Sequence, residues 1–400
     1  MNQSQIIRQT YDRNGGILKL IPVFVPRQFS SPGHRLRLHP DDYFALGTIR
    51  GGMKERWFSS TIAANNGPLA PADEGMSYVS CGTAPDERFL LKDAVDELRE
   101  VLVGKEMMEK FGGWPMYAKF FDNAVPLFHH LHLTFKDAAK VGRLGKPEAY
   151  YFPPQYNNYE GSLPATYFGF DPDCTKEEVR ERLLAYEAGD NRITELSRAY
   201  RIQLGTGWYT PPGVVHAPGS YLTYEPQWNS DVNTIMENVT MGEVNPHHLL
   251  TDCAPEEEKE DLDAIFAQID WEESTRPDYK ETYFRAPKTK CETTAGVEKW
   301  VAYANEWIAA KETTILPGQT YELRDKACYC ALVVQGHGRF GIFECEAPGL
   351  LRFDDISGDE FFVSEKTAND GVVITNTSSY EPLVILQNFA NNNPEVPASV

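Results

Sequence analysis

The hydrophobic positions of this chain fall in short runs, among them AYYFPP, ATYFGF, YLTYEPQW, CYCALVVQGHGRFGIF and GVVITN, each cut off by Gly, Pro or Asn. Runs of that length and spacing predict β-strands of a sandwich or small barrel. Helical periodicity is confined to three stretches, Lys92 to Val103, Thr175 to Ala188 and Pro255 to Gln268. The second opens with Thr175 and Glu178 at capping-box spacing. The expected fold class is therefore all-β, with the helices as insertions. The stretch from Asp270 to Thr294 is charged and broken by Pro277 and Pro287, and a fresh strand series begins near Trp300. A linker is expected there, dividing the chain into residues 1–275 and 276–400.

Length supports that division, because 400 residues exceed the roughly 250–300 that one core sustains. The formal charge of −20 excludes phosphate backbones and anionic membrane surfaces as expected partners, and no basic patch overrides it. No segment approaches the roughly 18 uninterrupted apolar residues of a membrane span. Seven cysteines occur without paired zinc spacing, and Cys328 and Cys330 are alternate residues of one strand-like run. A reduced compartment suits them. The N-terminus starts polar, and the run Ile17 to Val25 is interrupted by Lys19 and Pro22, so neither a signal peptide nor an anchor is expected. These features point to a cytoplasmic protein.

The chemistry concentrates in PLFHHLHLTFKDAAKVGRLGKPEAYYFPP. On a strand, successive side chains alternate faces, so His130 and His132 project together while His129 points the other way. Glu148 stands at the start of what reads as the next strand, where an antiparallel return brings its carboxylate toward the two rings. A third imidazole arrives in GTGWYTPPGVVHAPGS, where Pro211 and Gly213 set a turn that presents His216 at a strand start. Three neutral imidazoles and one carboxylate form a set suited to one divalent metal, Zn first, with Mn, Fe or Ni as alternatives.

These motifs resemble the cupin superfamily and, more closely, the mannose-6-phosphate isomerase family. The Q-x-H-P strand of that family is similar to His130-Leu131-His132-Leu133, its GK-x-E-x-WY turn to Gly145 through Tyr151, and its P-x-G-x-x-HA turn to Pro211 through Ala217. Lys54 through Ser60, Trp114 through Asp122 and Glu225 through Asp231 resemble further family segments in the same order, covering roughly residues 50 to 240. The resemblance implies two cupin (jelly-roll) barrels, the first holding the metal and the second, about Trp300 to Phe389, metal-free. The only histidine in that second stretch is His337. It also implies aldose–ketose isomerisation through a cis-enediol, with Glu225 for proton transfer, Lys146 for oxygen stabilisation, and Lys119 and Asp231 at the substrate. The implied partner is a small-molecule sugar or sugar phosphate, and a homodimer stays open.

The chain also departs from that pattern. His130 replaces the family's Gln, Ser220 replaces the last Asn of the second cupin motif, and Ile235 stands where the family carries an Arg. Losing that guanidinium removes a phosphate or enediolate partner, so a non-phosphorylated sugar is expected. Two other classes remain open at this point: oxygen chemistry on Fe or Mn, and a non-catalytic sugar- or metal-binding role. His39 in RLHPDD reads as a turn residue, His247 and His248 as exposed, and APEEEKEDLD as a solvated helix start favoured by the helix dipole.

Overall fold

The computed structural model describes residues 2–158 and 163–400. Strands dominate it and are arranged in four main layers. A five-stranded sheet runs Ser197–Arg201, Ala165–Phe170, His216–Ala217, His130–Leu131, Thr234–Ile235. Facing it is a seven-stranded sheet, in the order Phe284–Arg285, Gly207–Thr210, Glu148–Tyr151, Thr223–Trp228, Met116–Phe121, Gly52–Phe58, Val23–Arg27. A nine-stranded sheet built mainly from residues 288–390 packs behind it, and a four-stranded sheet closes the stack.

Strand alternation explains the layering. Met116, Ala118, Phe120 and Tyr224 of the seven-stranded sheet share a core with Cys330, Leu332, Phe362 and Leu386 of the nine-stranded one. The intervening residues Tyr329, Ala331, Val333, Phe361 and Ile385 point the other way, into a core with Phe340 and Ile374 of the four-stranded sheet. A strand buried on both faces needs an unbroken apolar run, which accounts for CYCALVV. Burying it removes Cys328 and Cys330 from solvent; both are free thiols.

The sheets are open, each ending in two edge strands, and stack as layers. The N-terminal strand Ile17–Ile21 inserts into the nine-stranded sheet, with Ile17 opposite Val363 on one side and Leu20 opposite Val79 on the other. Arg56 reaches across the central interface to Asp359 at 2.8 Å and Glu360 at 3.3 Å.

The helices are shorter than their periodicity predicts. Lys92 to Val103 forms two pieces, Leu91–Leu98 and Glu100–Val103, broken at Arg99 with φ of 48°, which turns Leu102 and Val103 into the core. Helix Lys176–Leu184 has the capping box read from Thr175 and Glu178 but stops short of Ala188. The acidic stretch gives only a 3₁₀ turn, Glu256–Glu258, and helix Leu262–Phe266 capped by Asp261, because consecutive carboxylates repel within one turn. The expected linker is structured: Tyr279 and Tyr283 bury beside Trp208, and Phe284–Arg285 and Lys288–Glu292 join different sheets. Among the described residues, no helix is long and apolar enough to cross a membrane.

Candidate metal centre and pocket

His130 and His132 share the inner face of their strand, while Leu131 and Leu133 face outward into a core with Val179 and Leu183 of the capping-box helix. That outward core fixes the strand's register, and a slip of one residue would swap imidazoles for leucines. His216 stands directly opposite His130 in the adjacent strand. Its turn is tied down by the Gly213 N–H, which donates to the His132 carbonyl at 2.7 Å. Gly213 has φ of +84°, and a Cβ there would meet Asp270 at 3.0 Å, so the motif needs glycine at this point.

Each ring is oriented by its Nδ1, which donates to a backbone carbonyl: His130 to Phe128 at 3.0 Å, His132 to Val232 at 2.7 Å and His216 to Val214 at 2.8 Å. A carbonyl only accepts, so the proton is assigned to Nδ1, and the Nε2 lone pairs converge on the interior. One ligand nitrogen from each ring lies within 4.8 Å of the others. Glu148 comes from the facing sheet, not from the neighbouring strand that an antiparallel return suggests. Its oxygens lie 3.1 Å from His132 Nε2 and 3.1 Å from His216 Nε2. With the imidazoles neutral, these are acceptor-to-acceptor contacts; both Glu148 oxygens and His216 Nε2 are buried without a hydrogen-bond donor. Burial and the neighbouring imidazoles hold His130 neutral, with its pKa well below the ordinary value. A cation between these acceptors resolves the repulsion, so the set fits a divalent metal.

Lys146 brings an ammonium to this set, 3.1 Å from His132 Nε2 and 3.5 Å from Glu148, and the buried Tyr150 hydroxyl also lies toward Glu148. Burial lowers the Lys146 pKa, and the Glu148 carboxylate opposes the shift.

The inner face of the seven-stranded sheet carries the remaining predicted residues. Lys119 sits opposite Glu225 across two strands, with Nζ 3.2 Å from Oε2. The other Glu225 oxygen is buried without a partner. Burial pushes the Glu225 carboxyl up to about 7, against the pull of Lys119. Asp231 accepts from Arg27 at 3.1 Å and from the Asn65 N–H at 2.8 Å. Although burial opposes it, Arg27 holds Asp231 well below the usual carboxylate range. His130, His132, Glu148, Lys146, Lys119, Glu225 and Asp231 thus line one pocket of about 50 Å³, with His216 against its floor.

Sequence reasoning missed Arg27 and Glu55. Arg27 lies at the end of an edge strand and pairs with Glu55 at 2.8 Å as well as with Asp231. A guanidinium therefore stands in the pocket despite Ile235, correcting the expectation that this charge is missing. Ile235 packs with Phe121, Leu127 and Phe128. Glu55 belongs to a segment singled out from the sequence, where an acid two residues before Trp57, on the same strand face, was the signal overlooked. His129 turns away from the site to Glu237 at 2.9 Å, His39 caps a 3₁₀ turn, and His247 and His248 are exposed.

No protein-family model and no curated protein matches the chain. Solved structures do. A mannose 6-phosphate isomerase from Bacillus subtilis shares 17% identity over 94% of this chain and 99% of its own, at a TM-score of 0.62. A variant of phosphomannose isomerase from Salmonella typhimurium shares 13% over 94% and 100%, at 0.63. A mannose 6-phosphate isomerase bound with zinc and yttrium shares 14% over 93% and 99%, at 0.58. At these identities the likeness is one of fold.

Proposed function

We propose that this chain is an aldose–ketose isomerase that depends on one divalent metal held by His130, His132, His216 and Glu148. The observation that carries the reading is the convergence of buried acceptors, with His216 Nε2 and both Glu148 oxygens lacking a hydrogen-bond partner, beside a carboxylate held by an ammonium. The zinc-bound solved structure of the same fold favours zinc over Mn, Fe or Ni. The stacked layers are read as two cupin-type jelly rolls, divided at residues 275/276, with Ile17–Ile21, Tyr78–Ser80 and Arg88–Leu90 of the first part extending the nine-stranded sheet of the second.

When bound, the metal supplies Lewis-acid polarisation of a sugar carbonyl and its neighbouring hydroxyl. Glu225 then takes the proton from the carbon beside the carbonyl and returns it to the adjacent carbon. The hydroxyl proton crosses from one oxygen to the other, so no oxidant is consumed. Lys119 orients the Glu225 carboxylate, Lys146 steadies negative charge on the substrate oxygens, and Asp231, fixed by Arg27, receives a substrate hydroxyl.

The favoured substrate is a non-phosphorylated sugar. Each cation lining the pocket faces a carboxylate: Arg27 faces Glu55 and Asp231, Lys119 faces Glu225, and Lys146 faces Glu148. A phosphate dianion would compete with carboxylates already in place. Metal analysis coupled to solvent-deuterium incorporation at C2 of mannose and C1 of fructose, and at the same carbons of their 6-phosphates, tests the reading. One metal per chain with exchange is expected. Oxygen uptake without exchange would favour an oxidoreductase instead.

A further inference from the structure

The metal pocket opens outward. Arg27, Phe29, Phe128, Asp231 and Asn233 line both it and a second hollow of about 640 Å³. Small-molecule sites span about 300–1,000 Å³, so the inner pocket takes only the carbonyl end of a sugar, and the outer hollow has room for a ligand larger than the rest of one monosaccharide. A substrate whose carbonyl end lies against the metal ligands must direct its far end through the mouth shared by Arg27 and Asp231.

The outer hollow is selective in charge. Arg27 is held by Glu55 and Asp231, and Arg50 is held by both oxygens of Glu74 at 2.6 and 2.8 Å. Glu243 and Asp252 add two carboxylates to the same wall. The balance is negative, which disfavours phosphate, sulfate or uronate groups. The remaining surface combines the amides of Gln28, Asn65 and Asn233 with the apolar side chains of Phe29, Leu69 and Val244. Amides match sugar hydroxyls, and apolar side chains match the C–H faces of a pyranose.

Building on the isomerase reading, we propose that the outer hollow binds a second, uncharged sugar unit. The substrate is then a reducing disaccharide or longer glycan, linked through the end remote from the carbonyl. Isomerisation needs C1 and C2 free, so the linkage falls at O4 or O6 of the reducing sugar.

The test uses the metal-loaded full chain in D₂O with mannose, mannose 6-phosphate, and reducing 1→4- and 1→6-linked mannosyl disaccharides. A disaccharide is expected to exceed mannose in kcat/KM by about tenfold, mainly through KM. Leu69→Trp, at a position 62% exposed, should cut that ratio by about fivefold. Equal kcat/KM for mannose and both disaccharides, a preference for mannose 6-phosphate, or an unchanged ratio in the variant would each overturn the proposal. Absence of exchange with every sugar would overturn the isomerase reading instead. Titration calorimetry with the same sugars then decides the hollow separately: tighter binding of a disaccharide than of mannose upholds it, and equal Kd values overturn it.

Discussion

Lys119 and Glu225 face each other across adjacent antiparallel strands, deep in the protein, at 3.2 Å. An ammonium there offsets the cost of burying a carboxylate while leaving one of its oxygens unbonded. With its carboxyl pushed up to about 7, Glu225 changes protonation near neutral pH. As the base, it must be ionised. The expected kcat/KM therefore rises with pH through about 7 and levels off above it. Glu225→Gln should lower kcat by about 10²–10⁴-fold with metal content unchanged, read by initial rates and metal analysis.

Removing one imidazole breaks the donor set. His132→Ala should reduce bound metal from one per chain to a small fraction, measured after gel filtration. Full metal content in that variant would remove His132 from the ligands.

Arg27 neutralises two buried carboxylates, Glu55 and Asp231. Arg27→Met leaves Glu55 with the Trp57 N–H and Lys119 at 3.9 Å, and Asp231 with the Asn65 N–H, and should destabilise the fold by about 3–5 kcal/mol. Adding Asp231→Asn to that variant should recover part of the loss. Denaturant unfolding of the single and double variants checks this.

A second buried charge cluster lies far from the metal centre. Lys311 is fully buried, within 2.8 Å of both Asp325 oxygens and bonded to Glu298. Lys311→Met should cost about 3–5 kcal/mol by leaving both acids to Lys290 alone among cations, at 3.4 Å from Glu298 and 3.0 Å from Asp325, while metal content stays at one per chain. A neutral effect on unfolding would show that the cluster relaxes or neutralises.

Glu360 sits between the two halves, its carboxyl pushed up to about 8 by burial despite Arg56 at 3.3 Å. Between the ordinary carboxylate range and pH 8, the folded chain keeps a proton that the unfolded chain releases. Its contribution to stability is therefore lost as pH rises through that window. Glu360→Gln should flatten the fall of Tm with rising pH, read by calorimetry.

Local rules made much of the site legible. Alternation along one strand predicts that His130 and His132 point together and His129 apart, and the Pro–Gly turn predicts a presented His216. The origin of Glu148 in the facing sheet was not legible, because layer membership depends on pairings such as Gln227 with Glu148 that no local pattern encodes. Arg27 was hidden for the same reason: it reaches the pocket through the pairing of Val23–Arg27 with Gly52–Phe58. The helical stretches were overextended because periodicity registers an apolar face but not the backbone reversal at Arg99.

The pairing of Ile17 with Val363 also has a consequence for synthesis. A strand made at the start of translation waits for a partner made near its end. Meanwhile the apolar face formed by Met116, Phe120 and Tyr224 has left the ribosome, and the strands that will cover it have not. A nascent chain halted near residue 275 would present that face, and an unpaired Ile17–Ile21 edge, to every other chain in the cell.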